Sequence, residues 1–155
     1  VSGRLTPTEL INRTSCAVEA ARTGTTAEFD EANRQLEALG PDRVVLVQAA
    51  VIRGLLEEIH PEGLTGEHVG QAIERCLTSL SARLLVVDAE ALIAVYAGAL
   101  GVADLEERAE HRPSVLITNA SLVIADLCDA AGADVSQYLV AAIAEIERAE
   151  TMELP

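Results

Sequence analysis

Three stretches of the chain, residues 44–52, 91–103 and 113–125, contain no charged side chain, although 11 basic and 25 acidic residues are spread through the rest of its 155. Uncharged, aliphatic segments of this kind have to be covered by something. A membrane-spanning helix needs roughly 20 apolar residues, and none of the three reaches that length, so they read as pieces of core helices with no membrane contact expected. Residues 44–59 carry eleven apolar positions in sixteen, which places that helix near the centre of the fold. VVLV at 44–47 resembles a strand, but the pattern runs on too long for one and no alternating partner segment exists to complete a sheet.

Between these runs the sequence is punctuated by helix starts and stops. Thr6-Pro7-Thr8-Glu9 reads as a capping box with Pro at the first helical position, Gly24 can end that helix, and Thr25 to Glu28 repeats the box. Phe29, Ala32, Leu36 and Leu39 then form one apolar stripe that stops at Gly40-Pro41. Pro61 and Gly63 break the chain after His60, and Thr65 is placed to cap a helix whose apolar face is Val69, Ile73, Cys76, Leu77, Leu80 and Leu84. Asp88 caps a helix running to Leu100 and ended by Gly101, Asp104 opens a short acidic helix closed at Arg112-Pro113, and two last helices join across Ala131-Gly132-Ala133-Asp134. The junctions LGPD, LGVAD and AGAD share a Gly stop followed by an Asp start, at spacings that give no repeat. The expected fold is all-α: a single-domain bundle of about seven or eight helices built from antiparallel helical hairpins. The domain spans 1–155, with 1–40 as an N-terminal hairpin and 42–155 as the core bundle.

Charge and composition exclude several kinds of function. A formal charge of −14, with arginines scattered singly among carboxylates, opposes nucleic-acid binding, and one Phe, two Tyr and no Trp leave few rings for base stacking. No lysine is present, so Schiff-base and phosphate-loop chemistry are excluded. Cys16, Cys76 and Cys128 are odd in number and far apart, which indicates neither a disulfide framework nor a thiolate zinc site and suits a reducing, cytoplasmic setting. Each lies on or beside an apolar helical face, as inert buried thiols do. After Val1 no cationic segment leads into an apolar one, so no signal peptide is expected.

Histidines and carboxylates at helical spacing supply the candidates for chemistry. In EEIHPEGLTGEH, residues 57–68, Glu57-x-x-His60 has the spacing with which carboxylate di-metal bundles hold an ion. One copy falls short of such a site, which needs a second motif and two more carboxylates, so only a symmetric dimer completes it. Glu107-x-x-Glu110 and Asp126-x-x-Asp129 pair carboxylates one turn apart, a geometry suited to Mg²⁺ and a substrate phosphate. Against this, Glu57 and His60 sit at a helix end where they have structural uses, Glu107 and Glu110 alternate with arginines as on a solvated face, and Asp126 and Asp129 are expected on the outer side of their helix. No cofactor is expected.

Residues 119–150, NASLVIADLCDAAGADVSQYLVAAIAEIERAE, weakly resemble the C-terminal helical hairpin of the all-α nucleoside triphosphate pyrophosphohydrolases of the MazG type. Registering on Gly132 and Asp134 places Leu116 and Asn119 where that family has a Glu-x-x-Asp metal motif, so the family's metal ligands are missing. The resemblance implies an αα-hairpin. The leading expectation is a non-enzymatic helical protein that binds a protein or a small hydrophobic ligand and self-associates, most simply as a homodimer. A divalent-metal-dependent hydrolase of nucleotides or other phosphorylated small molecules is the alternative.

Overall fold

Helix-start chemistry sets where each element begins in the computed structural model, which describes residues 6–79, 88–102 and 111–152. Seven helices and no strand lie among those residues: α1 (Pro7–Thr23), α2 (Thr26–Glu37), α3 (Pro41–Ile59), α4 (Gly66–Ser79), α5 (Ala89–Leu100), α6 (Pro113–Ala131) and α7 (Val135–Met152). The chain is all-α, and VVLV at 44–47 is helical. The acidic helix expected after Asp104, and Leu80 and Leu84 of the α4 stripe, fall outside the described residues.

Thr6 Oγ1 accepts the Glu9 N–H at 3.2 Å to open α1. At α2 the reciprocal box forms: Glu28 N–H donates to Thr25 Oγ1 at 3.1 Å and Thr25 N–H to Glu28 Oε1 at 3.2 Å. Asp88 Oδ1 accepts the Glu90 and Ala91 N–H groups at 2.9 and 3.3 Å, and Asp134 Oδ1 accepts that of Ser136 at 2.8 Å. These bonds satisfy donors that a helix start leaves without an intrahelical partner. The Gly-stop, Asp-start reading fails at residues 40–42. Gly40, with φ of +121°, itself precedes α3, Pro41 occupies the first helical position, and Asp42 lies inside the first turn. Gly24 is required for closeness rather than handedness, since a Cβ there would sit 2.9 Å from the Ala20 carbonyl oxygen.

Packing centres on two helices. α3 lies against α2, α5, α6 and α7, while α6 touches α1, α2, α3, α4 and α5. α6 therefore shares the central position expected of α3, as its own charge-free run implied for a core helix, and it is buried continuously from Asn119 to Ala125. By length and composition α6 is apolar enough to cross a membrane, with a mean hydropathy of 1.4, but 56% of that window is buried within the protein. α1 and α2 pack along each other, with Phe29 and Leu36 sealed and Ala32 and Leu39 packed at the edge of the core. α6 and α7, although joined by only a short turn, share few contacts; α6 lies against α3 and α1, and so does α7. Each sealed Leu, Ile or Phe contributes roughly 1.5–3 kcal/mol by leaving water.

Where α2, α3 and α6 meet, the core is polar. Gln48 Nε2 donates to the Ile117 carbonyl at 3.2 Å and to Ser121 Oγ at 3.4 Å. Ser121 Oγ donates to Asn33 Oδ1 at 2.7 Å, and Asn33 Nδ2 donates to the Phe29 carbonyl at 2.8 Å. All three side chains are buried. Ser121→Ala leaves Asn33 Oδ1 sealed without its donor, so it should cost about 1–3 kcal/mol with an unchanged m-value in urea melts.

Candidate functional site

The stretch 57–68 folds as a capped joint with a histidine pair built into it. α3 ends at Ile59, His60 leaves helical geometry (φ −124°, ψ 67°), and Gly63 takes a positive φ of +119° while its N–H returns to the His60 carbonyl at 3.0 Å. Thr65 then opens α4. His68 N–H donates to Thr65 Oγ1 at 3.2 Å and Thr65 N–H donates to His68 Nδ1 at 3.1 Å, so a histidine fills the position that Glu or Gln holds in a capping box. Behind it His60 stacks on His68, with ring centroids 4.1 Å apart and planes 15° from parallel.

This geometry argues against the metal reading of Glu57-x-x-His60. Lone pairs of imidazoles lie in their ring planes, and nearly parallel stacked planes do not meet at one ion. His68 Nδ1 is also already occupied by the Thr65 N–H. Glu57 points to solvent, and among the described residues no three His, Cys, Asp or Glu side chains converge on a metal-sized site. Glu107 and Glu110 lie outside the described residues. Asp126 and Asp129 are drawn to different arginines: Arg75 binds Asp126 through two bonds at 3.3 and 3.0 Å, and Arg22 reaches Asp129 at 2.9 Å. The expectation that both face outward holds for Asp129 alone, since Asp126, 12% exposed, is covered by α4.

The thiols divide in the same way. Cys76 and Cys128 are buried, and that burial pushes their thiols up to about 12 and about 11, far from a reactive thiolate. Cys16 is exposed, contrary to the expectation of a buried thiol. Tyr96, near Cys76, is sealed with its hydroxyl unpartnered among the described residues, and burial raises its pKa as well.

Two of the concavities among the described residues bear on function. An open cleft of about 640 Å³ is lined by Ser15, Arg22, Cys128, Asp129, Asp134 and Ser136 among others. Its charged groups are already engaged: Arg22 with Asp129 and, at 3.9 Å, with Glu19, which also accepts from the Thr23 hydroxyl, and Asp134 with the Ser136 N–H, a bond that holds the Asp134 carboxyl below its ordinary range. No acid–base pair is free to work there.

The second is a shallow apolar groove between α3, α5 and α6, which charge-free runs had marked only as core. Val45, Gln48, Ala49 and Ile52 line it from α3, Ala94, Val95 and Gly98 from α5, and Leu116 and Ala120 from α6. Gln48 is its only strongly polar lining residue, and the buried Gln48 Oε1 has no hydrogen-bond partner among the described residues. Leu116, where the pyrophosphohydrolase pattern would have a carboxylate, is thus a groove wall. Asn119, the second position of that pattern, accepts the Asp88 N–H at 3.3 Å and donates to the Val115 carbonyl at 2.9 Å, joining α5 to α6.

No protein family, curated protein or solved structure was found to match the chain.

The joint makes a clear prediction. Thr65→Ala and His68→Ala should each cost about 1 kcal/mol, with the double variant costing less than the sum because they break one reciprocal box. Zn²⁺ should leave the melting temperature unchanged; a chelator-sensitive protein would restore the metal reading.

Proposed function

We propose that the protein acts by association rather than catalysis, and that its apolar groove is a self-docking face which pairs two copies of the chain. One observation carries this reading. The three charge-free runs of the sequence fall on the three helices that line a single uncharged groove, and two of those helices also carry exposed aliphatic side chains, Leu46 and Ile93, 50% and 54% exposed. A face without charge can meet its own copy across a two-fold axis with no carboxylate opposed to another.

Size separates a second chain from a small ligand as the occupant. The space water can enter in the groove is about 30 Å³, room for a single molecule, whereas small-molecule sites run to roughly 300–1,000 Å³. A shallow apolar trough of Ala, Val and Gly suits the side chains of another helix. A charge of −14 on each chain opposes pairing, and a face without charged groups is where two copies repel least. We read the fold as a helical bundle centred on α3 and α6, with α1 and α2 as its antiparallel hairpin. Free thiols suit a reducing cytoplasm. No observation among the described residues favours the metal-dependent hydrolase.

Sedimentation across micromolar concentrations should show a monomer–dimer equilibrium. Ala94→Glu, which sets a carboxylate on the groove wall of α5, should weaken it by at least about tenfold, or about 1.4 kcal/mol. Val140→Glu, at an exposed apolar position on α7 away from the groove, should leave it unchanged. A 16.3 kDa species at every concentration would end the proposal.

A further inference from the structure

The joint between α3 and α4 places an imidazole nitrogen where a helix cap needs an acceptor. Glu or Gln in that place accepts a hydrogen bond throughout the neutral and mildly acidic range. A histidine nitrogen accepts only while it carries no proton. The Thr65 N–H is aimed at His68 Nδ1, and the far face of the pair is closed by the stacked ring of His60.

We propose that this joint is a proton-responsive latch: with both rings neutral, His68 closes the first turn of α4 and lies on His60, and proton uptake opens it. Protonated Nδ1 becomes a donor facing the donor of Thr65, and the stacked rings become two cations face to face. Among the described residues nothing nearby compensates. Arg75, further along α4, adds positive charge toward His60 and is itself held by Asp126 of α6. From α5 come the buried phenol of Tyr96 and the cap Asp88, whose carboxylate is engaged with the Glu90 and Ala91 N–H groups. Glu57 and Glu58 at the end of α3, Glu62 in the turn, Glu67 and Glu74 on α4 and Glu90 on α5 are exposed, and Asp129 of α6 is paired with Arg22. None of these carboxylates forms an ion pair with either ring.

Burial first, then the charges of His68 and Arg75, hold the His60 imidazole below its ordinary range. A folded state that disfavours the charged ring binds fewer protons than the unfolded chain does. Its contribution to stability is therefore complete above the unperturbed imidazole value of about 6.5 and is lost as pH falls through the lowered value.

The test compares wild type with His68→Gln, whose amide keeps the box closed and does not titrate. NMR follows the Thr65 amide from about pH 7.5 to about pH 5.5, within the imidazole range and above the isoelectric point near 4.5, while urea melts are run at both ends. In wild type the Thr65 resonance shifts in the direction of a lost hydrogen bond. The unfolding equilibrium constant rises about fivefold more than in His68→Gln, the equivalent of one helix cap. His60→Gln keeps the imidazole acceptor and so keeps the Thr65 shift, which makes the idea testable should His68→Gln fold poorly. Equal pH responses in wild type and His68→Gln, or a Thr65 amide that does not move in wild type and His60→Gln, would overturn the latch.

Discussion

The contact between α3 and α6 is the one on which the rest of the structure depends. Every other described helix packs against at least one of these two, and the seam between them is fixed by the bonds from Gln48 to Ile117 and Ser121. Aliphatic packing alone would tolerate sliding, because Val, Leu, Ile and Ala exchange neighbours at little cost when total volume is kept. A buried glutamine with a defined donor direction does not tolerate it. Ser121 passes the constraint on to Asn33, so α2 is held in register by the same chain of bonds. A protein with a single Phe and no Trp gains its specificity from such polar contacts rather than from large interlocking rings.

The same seam creates the groove. With its Nε2 turned inward to α6, Gln48 keeps Oε1 buried and without a donor beside the shallow trough between α3, α5 and α6. An unpaired buried acceptor disfavours the isolated state by about 1–3 kcal/mol, and a donor brought by water or by a docked chain relieves it. The contact that orders the core thus leaves a buried, unpaired acceptor beside the uncharged groove.

Helix boundaries were legible in the sequence wherever a side chain acts on its own backbone. Thr6, Thr25, Thr65, Asp88 and Asp134 all bond first-turn N–H groups, and Gly101 and Gly132 adopt left-handed geometry at helix ends. These interactions span a few residues and need no knowledge of the fold. Reading failed at Asp42, where Pro41 takes the opening position, and at Cys16, whose place beside an apolar stripe did not fix the side its thiol faces. The site was less legible. Glu57 and His60 have the spacing of a metal pair, but that spacing has meaning only if the helix continues, and it ends at Ile59. His68 was visible as a residue near a helix start; that it completes the cap with its ring nitrogen depends on a rotamer held by stacking against His60.

What the sequence by itself determined is an all-α chain with fixed stops and starts, a low aromatic content and three segments that had to avoid charge. These follow from interactions within one turn or one helix face, whose geometry is the same in any fold. Only the tertiary structure decided that α6 would share the centre with α3, that Asp126 and Asp129 would part to separate arginines, and that the uncharged runs would meet along one groove. Those outcomes depend on which helix faces are brought together across some 50 to 100 residues of chain, as in the bonds from Arg75 to Asp126 and from Asn33 to Ser121. Periodicity specifies that a face is apolar, and many apolar faces are interchangeable; the choice among them is made by volume and by the few buried polar groups that must find partners.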